Sequence, residues 1–332
     1  MDPLTQMSVG AAAAALISKR SDARLALIVG GLAGGAPDLD VLIRSDTDPL
    51  LALEYHRHFT HSLLLAPWIG FFVAGLFRLL FFWKAWPLKK LALFAILGSM
   101  THGMIDACTS YGTLLYWPFS YHRESWDIIS IIDPVFTLPL VGLLMLCFLF
   151  RKPVFALTGV LLCLAYLGLG IFQRSQAATF AVNLAEQRGH QAEELSVRPS
   201  LANIILWRIV YRSGQEYYVD AVWTLPWAEP KLYNGGVVPA YVRDDEISEH
   251  SVLFQDIDRF DFFSQGYLYQ FDLDPQIVGD LRYAMFPDST VPLWGIRVDP
   301  SRPDEHVSFE YFRDRSQGAV ERLWTMVCGR AL

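Results

Sequence analysis

Four stretches of this chain, residues 62–83, 88–108, 133–150 and 153–172, are nearly unbroken runs of apolar side chains. Runs of about 20 such residues match the hydrocarbon thickness of a bilayer. Within lipid the backbone has no water to bond, so each run must satisfy its own amides and carbonyls as a helix. Two shorter runs come first, 4–17, rich in alanine, and 25–36, rich in glycine. Small residues let helices approach closely, so these read as two short spans, with a re-entrant hairpin as the alternative. The pattern predicts an α-helical polytopic membrane domain of about six membrane-embedded helices, the first two short.

The character of the chain changes after residue 172. Residues 1–173 carry 12 Lys and Arg against 11 Asp and Glu, whereas residues 174–332 carry 15 against 23. Formal charges of +1 and −8 predict a helical membrane domain over 1–173 and an acidic, β-rich extramembrane domain over 174–332. Residues 173–188 keep helical spacing and extend the last span into water. Segments 203–211 and 216–225, rich in β-branched and aromatic residues, flank Arg212-Ser213-Gly214-Gln215 and read as a hairpin. Further strands are predicted at 251–254, 266–272, 281–286 and 293–298, giving a small, mostly antiparallel β or α+β domain. An acidic surface without a basic run argues against nucleic acid as a partner. Cys108, Cys147, Cys163 and Cys328 form no C-x-x-C pair, which argues against a disulfide framework or a zinc finger.

Basic residues set the expected orientation. Lys19, Arg20 and Arg24, then Lys84, Lys89 and Lys90, then Arg151 and Lys152 all fall on one side if six segments cross. That side is then cytoplasmic. Residues 37–61, residues 109–132 and everything after about 173 fall on the other.

Ionisable groups at the ends of apolar segments cost free energy unless they are paired, solvated or bound to metal. Here they are concentrated there. His102 and Asp106 are four positions apart on a predicted helix and share a face, so they can bind one metal or form a His–Asp hydrogen bond between helices. Asp38 and Asp40 follow Gly34-Gly35-Ala36-Pro37, where a helix breaks, and in an extended segment both carboxylates point one way. A solvated turn is the competing explanation. Three histidines, His56, His58 and His61, lie within six residues where the next span begins, and neutral imidazole is the commonest transition-metal ligand. Asp133 before Pro134 reads as a helix cap. Asp127 has no such structural reason and is a candidate general base or further ligand. Arg57 and Arg123 are candidates to hold a phosphate oxygen. Histidine with carboxylate and no thiolate suits Zn²⁺, Mn²⁺ or iron, and the donors suffice for one ion or two.

The ordered set Met1-Asp2-Pro3-Leu4-Thr5-Gln6, Pro37-Asp38-Leu39-Asp40, Tyr55-His56-Arg57, Thr60-His61-Ser62, His102 with Asp106, Thr109-Ser110-Tyr111-Gly112-Thr113, Trp117-Pro118-Phe119-Ser120 and Trp126-Asp127 resembles the YdjM/YbcI-type family. These are bacterial inner-membrane proteins described as metal-dependent hydrolases, some labelled as binding the repressor LexA. The likeness extends to Leu206-Trp207-Arg208. It implies a metal site of Asp38, Asp40, His56, His61, His102 and Asp106, without His58. Some relatives carry Thr-His where this chain has Thr5-Gln6, so no N-terminal ligand is expected. The expected function is a multi-pass, membrane-bound metal-dependent hydrolase with one or two zinc or manganese ions and Asp127 as base or ligand. It would act at the outer membrane–water boundary on a phosphoester or lipid-like substrate, with membrane lipid as its surroundings. The alternatives are a metal-binding or transport protein and a non-catalytic envelope protein with a structural metal site.

Overall fold

The computed structural model describes every residue except 85, 245, 246 and 314–317. The chain divides into two compact units. One holds Met1–Ile43 and Tyr55–Gly170, the other Arg44–Glu54 and Ile171–Leu332.

The first unit is helical. Helix α1 (Pro3–Leu16) starts where Asp2 accepts the Thr5 amide, with Pro3 pre-set for the first turn. Helix α2 (Ala23–Gly35) runs into a 3-10 turn, Ala36–Leu42, where Pro37 ends the regular hydrogen-bond ladder. The short α3 (Leu51–Tyr55), whose first four residues belong to the second unit, leads to a second 3-10 turn, Phe59–His61. Then follow α4 (Ala66–Leu80), α5 (Leu88–Ala107), α6 (Pro134–Phe150) and α7 (Val154–Gln187). Helices α1, α2 and α5 pack through small residues. A Cβ on Gly98 of α5 would collide with the Gly30 carbonyl of α2, so only glycine permits that approach.

The helices overturn the expectation of about six spans. Among the described residues only two are long and apolar enough to cross a bilayer, Ala23–Leu42 and Val154–Gln187. A third counts if Leu51–His61 and Ala66–Leu80, bent by 85°, form one broken span. The helices fall short for two reasons: the run 62–83 yields only the 15 residues of α4, while α1 and α6, with 14 and 17 residues or about 21 and 26 Å, are short from end to end. Helix α5 reaches 20 residues but contains Lys89, Lys90, His102 and Asp106. The orientation argument from six crossings loses its basis with them.

The second unit contains two antiparallel four-stranded sheets. The first is β1 (Glu194–Pro199), β2 (Leu206–Ser213), β3 (Glu216–Leu225) and β4 (Ala228–Pro239) in sequential order, with Gly214 at φ 63° in the β2–β3 turn. Helix α8 (Val252–Ser264) comes before the second sheet, β5 (Leu268–Gln270), β6 (Ile277–Asp280), β7 (Trp294–Arg297) and β8 (Ser308–Tyr311), and α9 (Ala319–Val327) closes the chain. Two expected strands are corrected. Residues 251–254 open α8 instead, because Ser251 caps the Phe254 amide. Residues 281–286 follow β6 rather than forming a strand. Val210, Tyr217, Val219, Tyr269 and Ile277 fill the core. The buried Arg208 donates to the carbonyls of Leu281, Pro287 and Ser289, tying β2 to the segments after β6.

Candidate metal centre

Four ligand atoms from distant parts of the first unit converge. The Nε2 atoms of His61 and His102 lie 2.8 Å apart. His61 Nε2 is 3.1 Å from Asp106 Oδ2 and 3.5 Å from Asp38 Oδ1. His102 Nε2 is 3.4 Å from Asp38 Oδ1 and 3.5 Å from Asp106 Oδ2. An ion bound tetrahedrally at about 2.1 Å sets its ligand atoms about 3.4 Å apart. Five of the six separations among these atoms, 2.8–3.5 Å, therefore lie close to the edge length of a coordination tetrahedron. His61, His102 and Asp106 are buried, and the Asp38 side chain keeps 19% of its surface open to solvent.

Local structure explains how each arrives. His102 and Asp106 project from one face of α5, one turn apart. Gly103 between them lies against the His61 carbonyl, where a Cβ would collide, so a glycine lets the 3-10 turn Phe59–His61 rest on α5. Asp38 and Asp40 stand in a 3-10 turn, not the extended segment expected. At three residues per turn they face different ways, and they take different roles.

Asp40 orients more than it converges. Its Oδ2 accepts from the Arg57 amide at 3.0 Å and Thr60 Oγ1 at 2.9 Å, and its Oδ1 meets His56 Nδ1 at 2.9 Å. His61 Nδ1 lies 3.3 Å from Asp40 Oδ2, a carboxylate–imidazole contact that leaves Nε2 free to carry a lone pair. The Gly34 carbonyl does the same for His102, accepting from Nδ1 at 2.6 Å. Asp38, Asp40 and His56 also make a second group whose ligand atoms all lie within 4.8 Å of one another, sharing Asp38 with the first. Asp38 Oδ2 is buried and has no hydrogen bond among the described residues.

The other expected site residues supply no ligand atom to this group. The Arg57 guanidinium, 3% exposed, lies 3.3 Å from Asp106 Oδ1 and donates to Thr109 Oγ1, so it balances a carboxylate. The Met1 amino group donates to the same Asp106 oxygen. Arg123 is buried and donates to the carbonyls of Gly112 and His56. His58 turns towards Trp117 and accepts the Phe59 amide. Asp127 belongs to none of the donor groups among the described residues. Its neighbours' amides, Trp126 and Ile128, donate to the carbonyls of Ala107 and Cys108, just after Asp106, and it is held at φ 53°. Asp133 caps α6 through the Val135 and Phe136 amides and accepts from Tyr166 Oη. Sequence reasoning overlooked Thr60 and the Gly34 carbonyl; adjacency to His61 was the one signal for Thr60.

The second unit holds a third group, Asp48, Asp256 and His306. Arg259 already supplies its cation, 2.9 Å from each carboxylate and 2.9 Å from Glu54. This reads as an ion-pair knot.

A helical unit with apolar, membrane-length helices and a buried histidine–carboxylate cluster defines a class of integral membrane protein whose donor groups could hold a metal ion. Within that class, the chain belongs to the YdjM inner membrane protein family, which matches residues 1–177. The match takes in every residue of the cluster and stops short of Leu206-Trp207-Arg208. No curated protein and no solved structure matches the chain.

Proposed function

We propose that this inner-membrane protein is a metal-dependent hydrolase with a centre for one or two zinc or manganese ions, acting on a phosphoester or lipid-like substrate. The observation that carries the reading is the convergence of His61 Nε2, His102 Nε2, Asp38 Oδ1 and Asp106 Oδ2 at tetrahedral edge lengths. Those residues hold the first ion. Where a second ion binds, Asp38, Asp40 and His56 would hold it, Asp40 adding that task to its orienting contacts. Bound there, such ions polarise a phosphoryl oxygen and lower the pKa of water. Asp40 and the Gly34 carbonyl keep the imidazoles oriented, while Arg57 offsets the charge of Asp106. Substrate reaches the site at its open edge, where Asp38 and His56 keep 19% and 30% of their side-chain surface. Asp127, buried and pinned by its neighbours, is the candidate base. The absence of charged residues from residues 154–173 of α7 favours this reading over an ion pathway along that helix.

The proposal also puts the second unit on the non-cytoplasmic side. Arg151 and Lys152 precede α7, and a basic N-terminal flank on that one long span supports this orientation.

Metal analysis of detergent-purified protein, followed by a phosphodiester and phospholipid screen, tests the reading. Wild type should carry stoichiometric metal and turn over one of these substrates. His61→Ala should lose both while remaining folded. Asp127→Asn should keep its metal and lose about 10²–10⁴-fold in rate. A metal-free wild type, or unchanged turnover in His61→Ala, sinks the proposal.

A further inference from the structure

Gln6 is wholly buried on α1, yet neither its Oε1 nor its Nε2 has a hydrogen-bond partner among the described residues. Leaving a buried amide unbonded costs stability, so each one in a native fold calls for an explanation. Its position supplies one. The backbone oxygen of Gln6 packs against Gly34, where a Cβ would come within 2.8 Å, and the Gly34 carbonyl is the acceptor that orients His102. Four residues earlier, at the cap of the same helix, the Asp2 backbone carbonyl accepts from the Gln6 backbone N–H, and the adjoining Met1 amino group meets Asp106. Helical side chains lean towards the N-terminus of their helix. That lean, from a residue beside Gly34 on the helix whose N-terminus meets Asp106, is the geometric ground for aiming the Gln6 amide at the cluster.

We propose that Gln6 supplies an amide oxygen as a fifth ligand to the ion held by Asp38, His61, His102 and Asp106. The inference rests on the metal-centre reading above and extends it to metal choice. Two imidazoles and two carboxylates complete a tetrahedron, which satisfies Zn²⁺. An added neutral oxygen raises the coordination number and the oxygen content, which favours Mn²⁺. Gln6 is then a selectivity residue, its Oε1 finding in the ion the partner it otherwise lacks among the described residues.

The test uses full-length protein in detergent, stripped with chelator and titrated calorimetrically with Mn²⁺ and with Zn²⁺, alongside thermal melts of the stripped protein. Gln6→Leu should weaken Mn²⁺ binding about tenfold and change Zn²⁺ binding by less than about threefold. The stripped variant should melt no lower than stripped wild type, because an unbonded amide has been removed. Gln6→Glu, which keeps an oxygen there, should hold or tighten Mn²⁺. Equal Mn²⁺ affinity in wild type and Gln6→Leu overturns the proposal, as does a lower melt of stripped Gln6→Leu, which marks a packing role. Loss of Mn²⁺ binding in Gln6→Glu also overturns it, and that variant decides the matter if Gln6→Leu does not fold. A wild type that binds neither ion removes the metal centre itself. A wild type that binds Mn²⁺ with no change in either variant removes Gln6 alone.

Discussion

At Asp40, three donors and a further imidazole crowd one carboxylate: the Arg57 amide, Thr60 Oγ1, His56 Nδ1 and, at 3.3 Å, His61 Nδ1. A group so occupied acts chiefly by fixing rings and loop. Partners that orient a metal-binding histidine are worth about 10–100-fold in metal affinity. Asp40→Asn should therefore weaken the first ion by about that factor while His61 and His102 stay in place, which calorimetric titration with Zn²⁺ checks. A drop no larger than threefold would show that Asp40 does not orient His61. The residue types of the site were readable from their clustering at apolar segment ends. Their division of labour was not. Arg57 looked like a phosphate clamp because a cation beside histidines fits one, and only its 3.3 Å approach to Asp106 shows where its charge goes.

Among the elements, periodicity separated helix from strand where a segment packs by its own pattern. The β2–β3 hairpin falls where two β-branched and aromatic runs flanking Gly214 put it, and α7 runs on past the apolar run as its spacing requires. Residues 251–254 misled because a short β-branched and aromatic run also fits the first turn of a capped helix. Segment 44–54 shows the same limit, since nothing in its composition links it to residues 171–332. Arg259 of α8 ties it there, paired with Asp48 and Glu54. Burial works against ionisation of Asp48, yet the Arg259 guanidinium outweighs it and holds the carboxyl below its usual range. A carboxyl whose folded pKa is depressed stabilises the fold fully above its unfolded pKa of about 4 and loses that contribution as pH falls through the folded value. Arg259→Ala should cost about 2 kcal/mol at pH 7, allowing for partial exposure. The deficit should shrink below about pH 4, as denaturant melts across pH can measure. A deficit that is flat with pH would remove the ion pair as its cause.

For the whole molecule, the sequence placed a membrane unit before an acidic β-rich one, and counted too many crossings. Apolar runs set an upper limit on span length; helix caps, Pro37 and the 85° break decide how much of each run becomes straight helix. The proposed orientation has a direct test in Cys328, the exposed cysteine of the second unit. A membrane-impermeant maleimide added to spheroplasts should label it, and labelling only after lysis would reverse the assignment. By itself, the sequence determined composition, local period and the donor chemistry available, because these depend on residues near one another along the chain. Only the tertiary structure decided that Asp38, His61, His102 and Asp106 meet, that Asp40 turns aside to orient, and that Gln6 is buried without a partner. Those facts depend on how closely α1, α2 and α5 pack, and close approach at Gly98 and Gly103 is a property of facing surfaces rather than of any one segment.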